Sequence, residues 1–266
     1  VEDIVMCPGK EDMFRFLEDI VREVVPLFPG KYFHIGGDEC PKTSWKNCPT
    51  CQKRIEAEGL QADGKHSAEE RLQSYVIKRM EKMLAKYGRK IIGWDEILEG
   101  GLSPEATVMS WRGTSGGISA ALQKHDVIMT PGSGGLYLDH YQGDYKIEPV
   151  TIPSAPAYLS RTYNYEPVPD TIKSLGLEKH ILGVQCNNWS EYMYTNAKME
   201  YQMYPRSLAL AEIAWSPAKK KNFTDFARRV DANSVRLDER HVRYHIPLPE
   251  QPYGSCDKVV ITKDTV

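Results

Sequence analysis

The sequence predicts an α/β chain that makes up the larger part of a (β/α)8 barrel, and three observations carry that prediction. Apolar residues switch between helical and strand-like spacing down the whole chain, which implies parallel strands joined by right-handed crossovers. No G-x-G-x-x-G opens a helix after a strand, so the open dinucleotide-binding sheet is set aside. Each strand-like run instead ends in acids or aromatics, and groups collected from strand C-termini are the habit of a closed barrel. Only about five strands can be counted, so the barrel is expected to be incomplete, with about strands four to eight present and the N-terminal strands missing. The expected division is residues 1–247 for this barrel portion and 248–266 for an extended tail or the start of a further module.

In chain order, the first element spans residues 11–28, where Met13, Phe16, Leu17, Ile20, Val21, Val24 and Phe28 recur at three- and four-residue spacing. That pattern predicts an amphipathic helix with one apolar face, stopped by Pro26 and Pro29-Gly30. Residues 31–35 follow as a short buried strand. Ser67-Ala-Glu-Glu70 is a capping box. It opens a helix in which Leu72, Val76, Met80, Met83, Leu84 and Tyr87 share a face, with Gly88 as the stop. Residues 90–94, 107–111, 127–130 and 181–185 read as strands, with a helix over 115–124. A long helix is expected over 197–215 and another over 223–234. Beyond His245 the chain is Pro-rich and then runs 258–262 as an extended segment.

Composition narrows the function classes. A formal net charge of −2 gives no electrostatic case for nucleic acid or an anionic membrane as partner. No apolar run approaches the ~18 residues of a spanning helix. Val1 reads as an interior start, so the lack of a visible targeting segment decides nothing. Six cysteines are too few for a disulfide scaffold in 266 residues. Cys48-Pro-Thr-Cys51 reads as a local disulfide or two ordinary thiols rather than half a metal site, because a second C-x-x-C or a paired His cluster is missing.

The strand ends hold the chemistry. They carry Asp38-Glu39, Trp94-Asp95-Glu96, Trp111-Arg112, Tyr137-Leu-Asp139-His140 and Asn188-Trp189-Ser190-Glu191. An aromatic face packs on the C–H face of a sugar ring, and carboxylates bind hydroxyls or move protons. Trp94, Trp111 and Trp189 taken singly are also ordinary core aromatics, but the same pattern at several strand ends points to carbohydrate. Asp38 and Glu39 are adjacent, and neighbours on a regular strand face opposite ways. Gly36-Gly37 before them lets the backbone leave strand geometry. The competing reading of this stretch is a turn leading into a helix N-terminus with acids at its dipole. His34, in mid-strand, is expected to be a hydrogen-bonded structural residue. A metal-dependent hydrolase built on His34 and Asp38 fails on spacing, since no second His is near.

His34-Ile-Gly-Gly-Asp-Glu39 resembles the H-x-G-G-D-E signature of family 20 glycoside hydrolases, the β-N-acetylhexosaminidases. Gly93-Trp-Asp-Glu96, Val108-Met-Ser-Trp111, Tyr137-Leu-Asp-His-Tyr141 and Gln185-Cys-Asn-Asn-Trp-Ser-Glu191 resemble later pieces of that family in the same order. The resemblance runs over about residues 1–247. It implies an exo-acting, retaining hydrolase that removes terminal β-linked GlcNAc or GalNAc, with the substrate's own 2-acetamido oxygen as nucleophile. It further implies Glu39 as general acid and base, Asp38 as the acetamido-orienting charge and Tyr137 as donor to the attacking carbonyl oxygen. Trp94, Trp111 and Trp189 would wall the sugar pocket, and Asp139 and Glu191 would hold its hydroxyls. The resemblance also implies that metals and organic cofactors are not needed, and that the compartment is periplasmic, secreted or lysosome-like. In the family a smaller domain and the first strands, with a sugar-gripping arginine and a supporting histidine, precede this region. The expected partners are therefore a glycan with a terminal β-N-acetylhexosamine, and either self-association or an upstream segment that completes the barrel. The rival expectation is a carbohydrate-binding or inactive relative that holds N-acetylhexosamine without cleaving it.

Overall fold

The structure is a computed structural model, and it describes residues 4–247. Five strands form one sheet: β1 (Tyr32–His34), β2 (Lys90–Trp94), β3 (Thr107–Ser110), β4 (Val127–Met129) and β5 (Ile181–Val184). Chain order is also spatial order, and β1–β2 and β2–β3 pair in parallel. Each crossover therefore leads to the strand next door, which is how a barrel winds; a doubly wound sheet reverses at a switch point. The helices are α1 (Glu11–Val24), α2 (Thr43–Lys46), α3 (Pro49–Ala57), α4 (Ala68–Ala85), α5 (Ser115–Leu122), α6 (Leu159–Asn164), α7 (Asp170–Ser174), α8 (Asn196–Met203), α9 (Arg206–Trp215) and α10 (Phe223–Glu239). No helix among the described residues is long and apolar enough to cross a membrane. The expectations for 248–266 lie outside the described residues.

The described residues fall into two compact units, one within Val1–Ile128 and Asp170–Leu182, the other within Met129–Pro169 and Gly183–Val266. In the first unit, Ser67 caps α4 as expected. Its hydroxyl accepts the Glu70 amide at 3.2 Å while the Glu70 carboxylate accepts the Ser67 amide at 2.6 Å. Leu72, Met80, Met83 and Leu84 then turn inward and are buried, and α4 packs on β2, whose Ile91 and Ile92 are also buried. Each such fully buried side chain contributes about 1.5–3 kcal/mol from apolar surface removed from water.

Two expectations for this unit need correction. The strand at residues 32–34 is not buried: it is the first in the sheet, pairs on one side only, and leaves Tyr32 and His34 exposed. Nor is α1 buried along one apolar face. Met13, Phe14 and Val21 point inward, where the Arg79 guanidinium lies 3.9 Å over the Phe14 ring, while Phe16, Ile20 and Phe28 stay open.

In the second unit, Leu159, Tyr163, Ala209, Phe226 and Val230 form the core, with Tyr163 stacked on Phe226 at 4.5 Å. The Asn222 side chain caps α10 by accepting the Asp225 amide. The single helix expected over 197–215 is two, α8 and α9, broken at Tyr204-Pro205. Proline has no N–H to give and its ring displaces the preceding turn, so the ladder stops there. α10 runs five residues past its expected end.

Ser67→Ala removes half of the capping box and should lower stability by about 1 kcal/mol. Urea denaturation of the two proteins would show this as a lower midpoint at unchanged slope, with Ser67→Thr restoring most of it. An unchanged midpoint for the alanine variant would mean that the cap contributes nothing.

Candidate active site

In the first unit the site begins where β1 stops. Gly36 and Gly37 take φ of 72° and 92°, and Glu39 takes 43°, all left-handed. An added Cβ at Gly37 would sit 2.6 Å from Ile97 Cγ2, so this position is closed to side chains for two reasons. The Gly36 carbonyl accepts the Trp94 amide at 2.9 Å, and the Gly37 carbonyl accepts Gln73 Nε2 at 2.8 Å. The glycine turn is therefore anchored to β2 and to α4, and it delivers Asp38 and Glu39 exposed. His34 plays the structural part expected of it: its Nδ1 accepts the Gly36 amide at 3.1 Å, and its ring lies 4.7 Å from that of Trp94.

Trp94 is buried against Ile92 and Met109, and Trp111 packs partly buried on the same cluster. Trp94 is thus part of the core at this strand end. Behind Trp111 stand two acids that strand-end reasoning named without a role. Asp95 is buried and accepts the Trp111 amide, the Arg112 amide and Arg112 Nε, the last at 2.6 Å. Glu96 is buried and accepts Trp111 Nε1 at 2.8 Å. Burial is the main force pushing the Glu96 pKa up, opposed by the Trp111 hydrogen bond. These contacts fix the indole plane. A cavity of about 310 Å³ is lined by Glu39, Lys42, Glu96, Glu99 and Arg112, so the exposed acid opens on a charged recess. Lys42 and Glu99 pair across it at 2.8 Å.

In the second unit, Tyr137 bridges in parallel to Asn187. The Leu138 amide donates to the Asn187 carbonyl at 2.7 Å, and the Asn187 amide donates to the Leu136 carbonyl at 2.9 Å. This short ladder brings Trp189 beside Tyr137, ring centroids 6.0 Å apart and edge-on. Trp189 is 39% exposed and Glu191 is exposed. Asp139 is the outlier: 3% exposed, with neither carboxylate oxygen hydrogen-bonded among the described residues. Desolvation pushes its pKa up, opposed by the backbone amides of Asp139 and Trp189, and the nearby Glu191 charge adds to the rise. A buried carboxylate without donors is costly unless something else supplies them.

Its carbonyl and those of its neighbours, by contrast, are held. The Asp139 carbonyl accepts Thr151 Oγ1, and Gln202 Nε2 reaches Thr151 Oγ1 at 3.1 Å. Arg206, with no exposed surface, donates to the carbonyls of Leu138, His140 (3.2 Å), Ala157 (3.1 Å) and Gln202 (2.8 Å). Desolvation lowers the Arg206 pKa to about 10, so it stays a cation. Desolvation of its ring, with the Arg206 and Arg161 charges adding, pushes His140 down to about 4. Sequence reasoning missed Thr151, Gln202 and Arg206. The one available signal was an arginine opening the apolar run Leu208-Ala-Leu-Ala211.

The family described as glycosyl hydrolase family 20, catalytic domain, matches residues 1–218. A beta-hexosaminidase of Porphyromonas gingivalis is 58% identical over 264 residues, which is 98% of this chain and 33% of that protein. Another from Vibrio furnissii is 36% identical over 79% of the chain and 33% of its own length. The chain thus spans about a third of the length of these curated relatives. Among solved structures, a family 20 exo beta-N-acetylglucosaminidase of Vibrio harveyi, in complex with N-acetylglucosamine, superposes with a TM-score of 0.83 at 30% identity, covering 92% of this chain and 38% of that one. A beta-N-acetylhexosaminidase of Bacteroides fragilis superposes at 0.77 with 27% identity, over 93% and 49% respectively.

The raised pKa of Asp139 has a definite consequence for stability. The folded chain holds this proton more tightly than the unfolded chain does, so the ionised group is unfavourable at neutral pH. The penalty shrinks as pH falls through the raised folded value and is gone below the unfolded value of about 3.9. Asp139→Asn should therefore raise the thermal midpoint at pH 7, by a margin that narrows to nothing toward pH ~4. A variant less stable than the parent at pH 7, or a gain that grows on acidification, would contradict this.

Proposed function

The chain belongs to glycosyl hydrolase family 20, and on that footing we propose that it is the catalytic barrel portion of an exo-acting, retaining β-N-acetylhexosaminidase. Its five sequentially ordered strands suit part of an eight-stranded barrel, which we assign to about strands four to eight. The observation that carries the reading is Asp139, a buried carboxylate whose oxygens meet no side-chain donor among the described residues. Sugar hydroxyls are such donors, and an exposed indole beside it, Trp189, is a platform for a ring face.

The first unit would supply the proton chemistry. Glu39 protonates the leaving glycosidic oxygen and later takes a proton from water, while Asp38 accepts the acetamido N–H and opposes the positive charge that develops on the oxazolinium ion. Their exposed position at the end of an anchored turn suits groups that must reach a substrate. Trp94 and Trp111 form the wall of the acetamido pocket, and Asp95 and Glu96 keep Trp111 and Arg112 in register. The second unit would supply Tyr137, whose O–H donates to the attacking carbonyl oxygen, with Asp139 and Glu191 on hydroxyls of the terminal ring. The open edge of β1 and the uncovered Phe16, Ile20 and Phe28 on and after α1 suit a further segment or a second copy lying over them. A periplasmic, secreted or lysosome-like setting is the compartment this activity serves.

The decisive comparison is between aryl β-GlcNAc and aryl β-glucoside substrates. With the acetamido oxygen as nucleophile, the glucoside lacks the reacting group and should be hydrolysed negligibly. Glu39→Gln should lower kcat on a disaccharide by about 10²–10⁴-fold, and by less on an activated aryl glycoside. Wild-type disaccharide turnover by that variant would remove Glu39 from its role. Binding of N-acetylhexosamine with no turnover by any form would favour the sugar-binding relative instead. A covalent adduct on Asp38, Glu96 or Glu191 after a 2-fluoro glycosyl reagent would show an enzyme nucleophile and end the substrate-assisted reading.

A further inference from the structure

Spacing alone offers Cys48-x-x-Cys51 no third ligand, but the fold brings one from 41 residues upstream. Cys7 Sγ lies 3.6 Å from Cys48 Sγ and 3.4 Å from Cys51 Sγ, and all three sulfurs fall within 4.8 Å of one another. Two thiolates on one tetrahedral zinc, with Zn–S near 2.3 Å, stand roughly 3.8 Å apart, so the triangle is close to the size that a metal would set. A disulfide would join two of the three and strand the third. Cys7 is almost equally near both partners, so the geometry selects neither pairing.

The surroundings are shaped to hold this triangle. Cys48 is the N-cap of α3 with Pro49 at its first position, so the C-x-x-C pair straddles a helix start. Backbone hydrogen bonds from Cys51 and Thr50 reach the Cys48 sulfur, and one from Gly9 reaches the Cys51 sulfur. Gly9 has no space for anything else: a Cβ there would lie 2.4 Å from the Thr50 carbonyl. The turn at Cys7 closes through the Lys10 amide on the Cys7 carbonyl at 3.1 Å, and Trp45 Nε1 grips the Met6 carbonyl at 2.9 Å. Arg54, paired with Glu11 and Glu58, donates to the Gly9 carbonyl at 3.4 Å and helps hold the Gly9 turn in place. Cys51 is fully buried, and Cys7 and Cys48 are half-buried within a cluster containing Trp45, Ile55 and Leu72. Among the described residues, no carboxylate or imidazole joins the triangle. All-sulfur donors select a soft or borderline ion such as zinc over magnesium or calcium.

We infer that Cys7, Cys48 and Cys51 form a structural zinc site that ties the segment before α1 to the segment following Asp38 and Glu39. The ion is bound by the three thiolates and one further ligand, and its binding releases the thiol protons. The site lies outside the residues assigned to the sugar chemistry and does not depend on that assignment.

The test starts with the unmodified chain, purified under reducing conditions with zinc present and then desalted. Elemental analysis should find about one zinc per chain, as a site coupled to folding requires. A strong chelator should remove it, lower the thermal midpoint and open the three cysteines to alkylation. Cobalt in place of zinc should give the intense near-ultraviolet thiolate-to-metal absorption band. Cys7→Ser, Cys48→Ser and Cys51→Ser should each lose the metal, whereas Cys186→Ser should keep it and control for folding. Zinc at background in the unmodified chain would overturn the inference, as would a cobalt form without that band. A metal-free chain in which peptide mapping joins any two of Cys7, Cys48 and Cys51 would replace it with a disulfide.

Discussion

Where β1 ends, the backbone has no room for side chains. An added Cβ at Gly37 and one at Gly93 would both meet the same Ile97 methyl at 2.6 Å, and the Gly93 one would also crowd the Gly36 carbonyl. The end of β1 and the body of β2 are thus packed over one buried isoleucine, main chain against side chain. Everything that the first unit presents follows from that closeness. It lets the Trp94 amide reach Gly36, and it forces the chain into left-handed backbone just before the acids. Glu39 itself adopts φ of 43°, a conformation that costs a non-glycine residue free energy and persists only where its surroundings impose it.

The two units handle buried acids in opposite ways. Asp95 and Glu96 are buried and satisfied, with donors from Trp111 and Arg112 on the neighbouring strand end. Their work is internal: they set the angle of an indole. Asp139 is buried and unsatisfied, yet its main chain is tied through Thr151, Gln202 and Arg206. A carboxylate held rigid with no side-chain donor keeps hydrogen-bonding capacity in reserve, which is what the proposed sugar contact draws on. The positioning acids and the acid proposed to bind differ in side-chain hydrogen-bond satisfaction, since both kinds are equally buried.

Much of this was legible in the sequence because it is written in local chemistry. The Ser67–Glu70 box, the Gly36-Gly37 turn and the apolar spacing of α4 each depend on residues a few positions apart, and each is found where spacing put it. What stayed hidden depends on partners far along the chain or on main-chain atoms. Arg206 donates to backbone carbonyls, which every residue possesses, so no partner side chain marked it and only the apolar run after it hinted at its burial. Cys7 meets Cys48 and Cys51 across more than forty residues. The apolar positions of α1 could be listed, but the side of the helix that the unit covers could not, and the same holds for the exposure of β1. The break between α8 and α9 was available in Pro205, but the long apolar spacing on either side masked it.

The Arg206 net also orders events in time. Its guanidinium reaches back 66 residues to the His140 carbonyl and 68 to that of Leu138. At synthesis rates of about 5–20 residues per second, α9 emerges several seconds after the loop that carries Tyr137 and Asp139. During that interval the carbonyls of Leu138, His140 and Ala157 have no cation to converge on, and the loop is only a length of nascent chain. The segment proposed to bear the sugar contacts is thus among the last parts of its unit to become fixed. A growing polypeptide leaving the ribosome would pass through a stage with its sheet begun and its binding groups still adrift.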